Sequence, residues 1–270
     1  MKSHRALLLA LASLVATATP GVRCLSQVSV LGNSVQERKA AAGSEYPGSI
    51  LIRNDGTVAQ RVRIYTTDYR FTAEGISEFG EPGTTPRSNA RWITFGLQTV
   101  VIAPGQSSTI TYRVNVPQLP LQSATGSYWS VAMIEGQPAM GPRHAGAGTV
   151  RIQTIVRQAV QLVTHVGSTG AASVALYNVK LVSGENTSEI QFDAGNDGVR
   201  ARKLSLSVDL YADDGSLVGR YSSQRGLVYP GSSIRQQFSL GALRKGNYLA
   251  FIVADAGDDD LFVGNFKLKL

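Results

Sequence analysis

The sequence predicts an all-β protein, folded as two tandem β-sandwich domains behind an N-terminal signal peptide. Three observations support this fold class. Apolar and polar residues alternate with a period of two along most of the chain. Turn residues separate the alternating segments at the spacing of sandwich strands. The same order of features also occurs twice, which favours two copies of one unit over a single large barrel.

The N-terminal segment has the pattern of a secretory signal. Lys2 and Arg5 precede an apolar run from Ala6 to Ala18, which is too short to span a membrane. The small residues Ala16 and Ala18 form a cleavage motif, so we expect cleavage after Ala18 and a periplasmic or secreted protein. No later stretch reaches the roughly 18 apolar residues of a spanning helix, so we expect no membrane span in the mature chain.

Cys24 is the only cysteine of the chain. Intramolecular disulfides are therefore excluded, and the domains must be held together by packed cores. A cysteine after an apolar run can also carry a lipid, but the large, charged Arg23 stands where such sites need a small residue. This context disfavours lipid attachment.

The charge of the mature chain is modestly positive. Removal of residues 1–18 takes away Lys2 and Arg5 and leaves 24 basic against 19 acidic residues, a net charge of +5. This excess is spread along the chain, without a basic run or a basic helix. Nucleic acid is therefore not an expected partner.

Several segments alternate strictly enough to assign the side chains that face the core. Residues 49–64 place Ile50, Ile52, Val62 and Ile64 on one face, with an Asn-Asp-Gly turn between the two halves. Residues 109–116 and 149–163 alternate in the same way. We expect these segments to be strands.

The internal repeat is the most informative feature of the sequence. NDGTVAQRVRIYTTDY at residue 54 is answered by NDGVRARKLSLSVDLY at residue 196, and APGQSSTITYRV at residue 103 by YPGSSIRQQFSL at residue 229. TGSYWSVAMIE at residue 125 is answered by KGNYLAFIVAD at residue 245. Because the order is kept while the loop lengths differ, we predict two domains, residues 25–166 and 172–270.

Each copy carries a Gly-x-Tyr element before an apolar strand. In immunoglobulin-like sandwiches, a tyrosine at the start of a late strand hydrogen-bonds back to the preceding corner. Tyr128 and Tyr248 stand where such a corner belongs. We therefore expect immunoglobulin-like domains, with both tyrosines serving the fold and not a ligand.

Catalytic and metal-binding patterns are missing from the sequence. The mature chain holds only His144 and His165, without the spacing of a metal site or a nucleophile motif. The acidic run from Asp258 to Asp260 matches no calcium loop and suggests a charged hairpin. We expect no enzyme activity, no cofactor and no metal site.

A loop and the strand after it suggest a binding function. Residues 136–148 are rich in Gly, Pro and Ala, and the alternating segment 149–163 is about twice the usual strand length. Two interpretations stay open: an edge strand that recruits a partner strand, or the last strand of the first domain, paired inside it. In the first case Val150, Ile152, Val156 and Val160 set the side-chain register, and Arg151 and Arg157 make polar contacts at the rim.

Taken together, the arrangement resembles the periplasmic chaperones of pilus assembly. The likeness lies in the signal peptide, the tandem immunoglobulin-like domains, the Gly-rich loop and the long strand with IVRQAVQL at residues 155–162. The resemblance implies a non-catalytic chaperone that engages an exported or surface protein subunit by strand addition. Those chaperones hold a terminal carboxylate with an Arg and a Lys. Here Gln153 stands four positions before Arg157, and SQVSVLGNS offers no matching Arg.

Two other functions remain as alternatives. Tandem sandwiches also serve as structural or adhesive modules of cell surfaces and extracellular matrices. A carbohydrate-binding sandwich would use exposed aromatic side chains, for which Trp92 and Trp129 are the candidates.

Overall fold

The computed structural model describes residues 28–118, 120, 125–137, 155–171, 173–184, 186–224, 226–257 and 260–270. Within these ranges the only helical element is the 3-10 turn Ala90–Trp92, and all other elements are strands. None of the described helical segments is long or apolar enough to cross a membrane. The predicted signal peptide and Cys24 lie outside the described residues, and the predicted domain limits stay predictions.

Ten strands form the first sandwich. One sheet has the order β1-β3-β8-β6, with β1 Val28–Leu31, β3 Glu45–Asn54, β8 Ser107–Asn115 and β6 Ile93–Phe95. The facing sheet has the order β2-β10-β9-β4-β5, with β7 also paired to β4; its strands are β2 Val35–Ala40, β10 Arg157–Val166, β9 Gly126–Gln137, β4 Gln60–Phe71, β5 Ser77–Gly80 and β7 Thr99–Ile102.

Eight strands form the second sandwich. Its smaller sheet has the order β11-β12-β16, with β11 Val174–Ser183, β12 Ser188–Asn196 and β16 Ser233–Gly241. The larger sheet has the order β14-β13-β17-β18, with β15 also paired to β13; its strands are β14 Leu217–Ser222, β13 Arg202–Ala212, β17 Asn247–Asp255, β18 Leu261–Lys269 and β15 Gly226–Val228. The predicted all-β, two-sandwich fold class is confirmed.

The alternation identified the first core correctly. Ile50 and Ile52 of β3 and Val62 and Ile64 of β4 are at most 1% exposed and pack in one cluster. The two strands do not pair with each other, because the Asn-Asp-Gly turn carries the chain from one sheet to the other. Both strands then point their apolar side chains into the space between the sheets.

The chain changes sheet once more near its start. β1 pairs antiparallel with β3, whereas β2 pairs parallel with β10 in the opposite sheet. Gly32 lies between them with a φ of +94°, a left-handed conformation that glycine adopts at little cost. The first 13 described residues therefore contribute an edge strand to each sheet of the sandwich.

The internal repeat holds at the level of hydrogen bonds. The Asn54 amide donates to the carbonyls of Val58 (2.8 Å) and Ile102 (2.9 Å), and its side-chain oxygen accepts the Gly56 N–H. In the second sandwich the Asn196 amide donates to the carbonyls of Arg200 (2.7 Å) and Val228 (2.9 Å), and its oxygen accepts the Gly198 N–H. Each asparagine is fully buried and ties its Asn-Asp-Gly turn to the neighbouring strand.

The Pro-Gly turns repeat in the same way. Gly105 and Gly231 have φ angles of +68° and +73°, and each turn is closed by a backbone hydrogen bond from the residue after the glycine. The N–H groups of Gly105 and Gly231 donate to the carbonyls of Asn54 and Asn196, respectively. The two turns of each copy are thus joined at one asparagine.

The predicted tyrosine corner forms in the second copy. The Tyr248 hydroxyl donates to the Arg244 carbonyl at 2.6 Å, four residues upstream. In the first copy the Tyr128 ring packs 4.7 Å from that of Trp92, and Ala124, four residues upstream of the tyrosine, lies outside the described residues. Both tyrosines are buried and serve the fold.

Aromatic packing joins the two sandwiches. The ring of Tyr229, from the second sandwich, stacks on Trp129 of β9 with 4.6 Å between centroids and an interplanar angle of 6°. Val163 and Ala201 complete this buried cluster. The guanidinium of Arg200 donates to the carbonyls of Val166, Gly167 and Thr169. These hydrogen bonds hold the connecting segment in place. The joint is therefore packed and hydrogen-bonded.

The paired asparagines give a stability prediction. Asn54→Ala leaves two buried carbonyls without their amide donor, so we expect a loss of about 2 kcal/mol from the first sandwich. Asn196→Ala should cost about the same in the second sandwich. Urea titrations followed by tryptophan fluorescence report the first sandwich, which holds Trp92 and Trp129, and far-UV circular dichroism reports both.

The matched control is Asn265→Ala, which changes an exposed side chain on β18. Its unfolding midpoint should stay close to that of the wild type. Equal midpoints for Asn54→Ala and Asn265→Ala would contradict a structural role for the buried amide.

Candidate functional site

The strand predicted to bind a partner is described in its second part only. The prediction covered residues 149–163, whereas β10 runs from Arg157 to Val166. Residues 138–154, which include most of the predicted Gly-rich loop, lie outside the described part of the chain. β10 is the last strand of the first sandwich.

Only one half of β10 is paired on both sides. Along its whole length it pairs antiparallel with β9, whereas β2 pairs with it from Gln161 onward. The Gln161 N–H donates to the Ser34 carbonyl at 2.7 Å, so the backbone groups of Gln161 point to the β2 side. Because strand residues alternate, those of Ala159 and Arg157 point to the same side. In the described part of the chain no strand pairs with them there.

The predicted contact residues fall into three groups. Val150, Arg151 and Ile152 lie outside the described residues. Val156 is half-buried, and Arg157 is exposed, at the start of the unpaired half of β10. Val160, in contrast, is fully buried in the first core.

The contact role predicted for Val160 is therefore corrected to a core role. Val160 and Leu162 point between the sheets, whereas Arg157 and Ala159 point outward. The alternation was predicted correctly, but it could not tell which face of this strand is covered by the opposite sheet.

A glutamine that the prediction missed closes this side of the sandwich. The Gln158 side chain accepts the Val30 N–H at 2.7 Å and donates to the Val28 carbonyl at 2.6 Å. It therefore acts as a short substitute for a strand beside β1. Two backbone groups of β1 are thereby satisfied, while no strand in the described part of the chain pairs with Arg157 and Ala159 of β10 on this side.

Ionic contacts hold the side chains next to this open edge. Arg157 Nε lies 2.6 Å from Glu135 Oε2, and the Tyr65 hydroxyl donates to the same oxygen at 2.9 Å. Burial alone would raise the pKa of Glu135, but the hydrogen bonds from Arg157 and Tyr65 outweigh it and hold that pKa below its usual value. Arg63 lies over the Tyr65 ring, 4.8 Å from its centroid.

A chain of hydrogen bonds crosses the joint between the sandwiches. The Ala201 N–H donates to Ser127 Oγ (2.8 Å), Ser127 Oγ lies 2.8 Å from His165 Nδ1, and His165 Nε2 lies 3.1 Å from Glu37 Oε2. Glu37 also pairs with Lys203 at 2.5 Å. With Nε2 protonated, His165 donates to Glu37 and accepts from Ser127, so every group in the chain is satisfied.

This serine, histidine and glutamate do not form a catalytic site. A nucleophilic serine must reach a substrate, but Ser127 is fully buried and its oxygen already accepts the Ala201 N–H. The groups lie beside a cleft of about 470 Å³ between the sandwiches. The cleft is lined by Glu37, Lys39, His165, Gly167, Ser168, Arg200, Ala201, Arg202, Lys203, Leu227 and Ala256. The arrangement is a structural network of the joint.

A second cavity lies on the outer face of the larger sheet of the second sandwich. It measures about 560 Å³ and lies between the strands β13, β17 and β18. Tyr211, Leu249 and Phe251 line its apolar part, and Lys267 and Lys269 stand along its side. The rings of Tyr211 and Phe251 meet edge to face, 5.7 Å apart.

The candidate carbohydrate platform does not exist on the first sandwich. Trp129 is 4% exposed, stacks on Tyr229 and donates its indole N–H to the Tyr69 carbonyl. Trp92 is half-buried and packs against the first core. Trp129 is therefore a packing residue of the joint, and both rings take part in contacts within the protein.

Metal binding finds no support in the described residues. No group of three or more metal-ligating side chains comes together among them. The acidic run at Asp258 lies partly outside the described part, but it connects the paired strands β17 and β18. Asp260 forms an ion pair with Arg202 at 3.0 Å.

Comparison with known proteins gives similarity in three dimensions only. No protein-family model matches the sequence, and no curated protein sequence matches it. The chain is similar in structure to the class 5 fimbriae chaperone CfaA, with 11% identity, a TM-score of 0.47 and coverage of 88% of this chain and 98% of that one.

Two further chaperones are similar over comparable lengths. The YadV chaperone shares 13% identity, with a TM-score of 0.43 and coverage of 90% of this chain and 100% of that one. The E. coli chaperone DraB shares 13% identity, with a TM-score of 0.40 and coverage of 90% and 96%.

The joint predicts a pH dependence of stability. Burial lowers the pKa of His165, Arg200 and Lys39 act in the same direction, and Glu37 opposes them. As the pH falls through the ordinary pKa of histidine, about 6.5, the unfolded chain therefore takes up a proton at this position before the folded chain does. The free energy of unfolding, measured in urea, should consequently decrease as the pH is lowered through that range.

His165→Gln should flatten this dependence, because glutamine does not titrate. His144→Gln is the matched control, since it removes the other histidine of the mature chain and should leave the slope in place. An unchanged slope in His165→Gln would assign the pH dependence to other groups.

Proposed function

We propose that this chain is a non-catalytic, chaperone-like binding protein that engages an exported or surface protein by β-strand addition along the unpaired half of β10. The proposal includes export by the N-terminal segment, with cleavage after Ala18, and a periplasmic or secreted location. It also includes the two domains at residues 25–166 and 172–270.

The backbone edge at Arg157 and Ala159, where no described strand pairs on the side of β2, is the observation that carries the proposal. Arg157 and Ala159 direct their N–H and C=O groups to the side where no described strand pairs. An edge of this kind is a template for another strand, because each added hydrogen bond stabilises the pair by about 0.5–1.5 kcal/mol. β2 begins at the far end of this edge and limits the length of strand that can be added.

An exposed apolar side chain stands next to this edge. Ile155 is 49% exposed, although it directly precedes β10. A partner strand that extends past Arg157 would cover it. Burial of an isoleucine of this size would add about 1 kcal/mol to binding.

The structural or adhesive module remains the rival function, and the joint between the sandwiches favours it. The stacked rings of Trp129 and Tyr229, together with Arg200, fix one sandwich on the other. A spacer between two other components would use such a joint. It would not, however, require an open edge on β10.

One substitution separates the two functions. Ala159→Pro removes an N–H that points to the open side, and its ring occupies the path of a partner backbone. The ladder with β9 uses the other residues of the strand, so we expect a loss of stability of less than about 1 kcal/mol. Capture of exported proteins from the producing cells should fall about tenfold, measured by quantitative mass spectrometry of tagged protein.

Ala159→Ser is the control, because it retains the backbone N–H and should capture the same proteins as the wild type. Equal capture by Ala159→Pro and Ala159→Ser would reject strand addition at this edge. Absence of any captured exported protein would favour the spacer.

A further inference from the structure

A row of charged side chains runs across the outer face of the first sandwich toward the open edge. Arg63 of β4 lies opposite Glu135 of β9, and Glu135 lies opposite Arg157 of β10. Side chains directly opposite each other on neighbouring strands interact most strongly. The row therefore reads positive, negative, positive, and its last member stands at the open edge.

Among the described residues, the partner of Arg157 lies on one side of it. Glu135 approaches it from the β9 side, and the Arg157 side chain is still 56% exposed. The next position in the row belongs to whatever strand adds to β10. A carboxylate there would continue the alternation of charge, whereas a Lys or Arg would stand directly beside the Arg157 guanidinium.

The surroundings of the row add to its positive charge. Arg61, one row further along β4, is exposed and lies opposite the neutral Gln137. Among the described residues of the row, Glu135 is thus the carboxylate that lies between Arg63 and Arg157.

We propose that the segment added to β10 is an acidic strand, with an Asp or Glu side chain opposite Arg157 and an apolar side chain over Ile155. This inference rests on the proposed function, because it names the chemistry of the strand that would add to the edge. A carboxylate contact with Arg157 would select partners by the charge at one position, whereas backbone hydrogen bonds alone do not discriminate between side chains.

The test is a tethered strand. Asn33 is exposed and lies one residue before Ser34, where the open edge meets β2. Asn33→Cys in a Cys24→Ser background therefore gives a single thiol beside the edge. Peptides of alternating Val and Thr, attached by a mercaptopropionyl-Gly-Ser linker, then sample the edge at high effective concentration. The disulfide-exchange equilibrium against glutathione measures how strongly each peptide associates.

The peptides differ at one position, which carries Asp, Asn or Lys. Two sets of peptides carry the variable residue at successive positions. Because successive side chains of a strand point to opposite faces, one of the two sets presents this residue on the outer face of the sheet. In that set we expect the exchange constant for Asp to exceed that for Lys by about fivefold, with Asn between them. Arg157→Glu should reverse the order, and 1 M salt should remove it.

Two controls distinguish failure of this inference from failure of the proposed function. A Gly-Ser peptide without strand residues gives the exchange constant of the linker alone. Thr111→Cys places the thiol on β8, which is paired on both sides. At this position the exchange constant of a strand peptide should equal that of the Gly-Ser peptide. If the strand peptides exceed the Gly-Ser peptide but Asp and Lys are equal, the acidic strand is wrong and strand addition stands. If no strand peptide exceeds it, both are wrong.

Discussion

The sheet change between β1 and β2 is the constraint on which the architecture of the first sandwich depends. β1 forms the edge of one sheet by pairing with β3. After Gly32, β2 forms the edge of the other sheet by pairing with β10. One short segment cannot cover two full edges. As a consequence, β2 does not reach the first half of β10. The Gln158 side chain hydrogen-bonds to the backbone of β1 beside this gap.

The two halves of β10 consequently have different tasks. Its second half is paired with β2 and β9, and its outer face packs against the second sandwich through Val163 and the Tyr229 ring. The Tyr229 hydroxyl donates to Gln161, the first residue of β10 that is opposite β2. The junction between the paired and the unpaired half is thus anchored by the neighbouring sandwich. A strand added to the first half would end at this anchored point.

Much of the fold could be predicted from the sequence because it follows from local rules. Alternation identified the buried residues of β3, β4 and β8, and the duplicated Asn-Asp-Gly and Pro-Gly turns identified the two copies. The Gly-x-Tyr element predicted the corner at Tyr248. Each of these signals lies within a few residues of the structure that it determines.

The remainder depends on contacts between distant residues. Val160 has the same pattern as a partner-binding residue, and only the position of the opposite sheet places it in the core. Asp68 is 1% exposed and accepts hydrogen bonds from the backbone of Gly83, Thr84 and Thr85, so it holds a loop that no motif marks. Gln158 was missed for the same reason, since its partners lie about 130 residues earlier.

The aromatic contact between the sandwiches makes the two copies of the fold unequal. Trp129 follows the tyrosine of the first Gly-x-Tyr element, and its counterpart in the second copy is Leu249, which lines the 560 Å³ cavity. Tyr229 precedes the second Pro-Gly turn, and its counterpart in the first copy is the small, exposed Ala103. Trp129 and Tyr229 therefore contact each other, whereas their counterparts Leu249 and Ala103 carry no aromatic ring and cannot form the same stacked pair. The duplicated fold thus contains a joint that is not duplicated, and this joint sets the order of the two sandwiches.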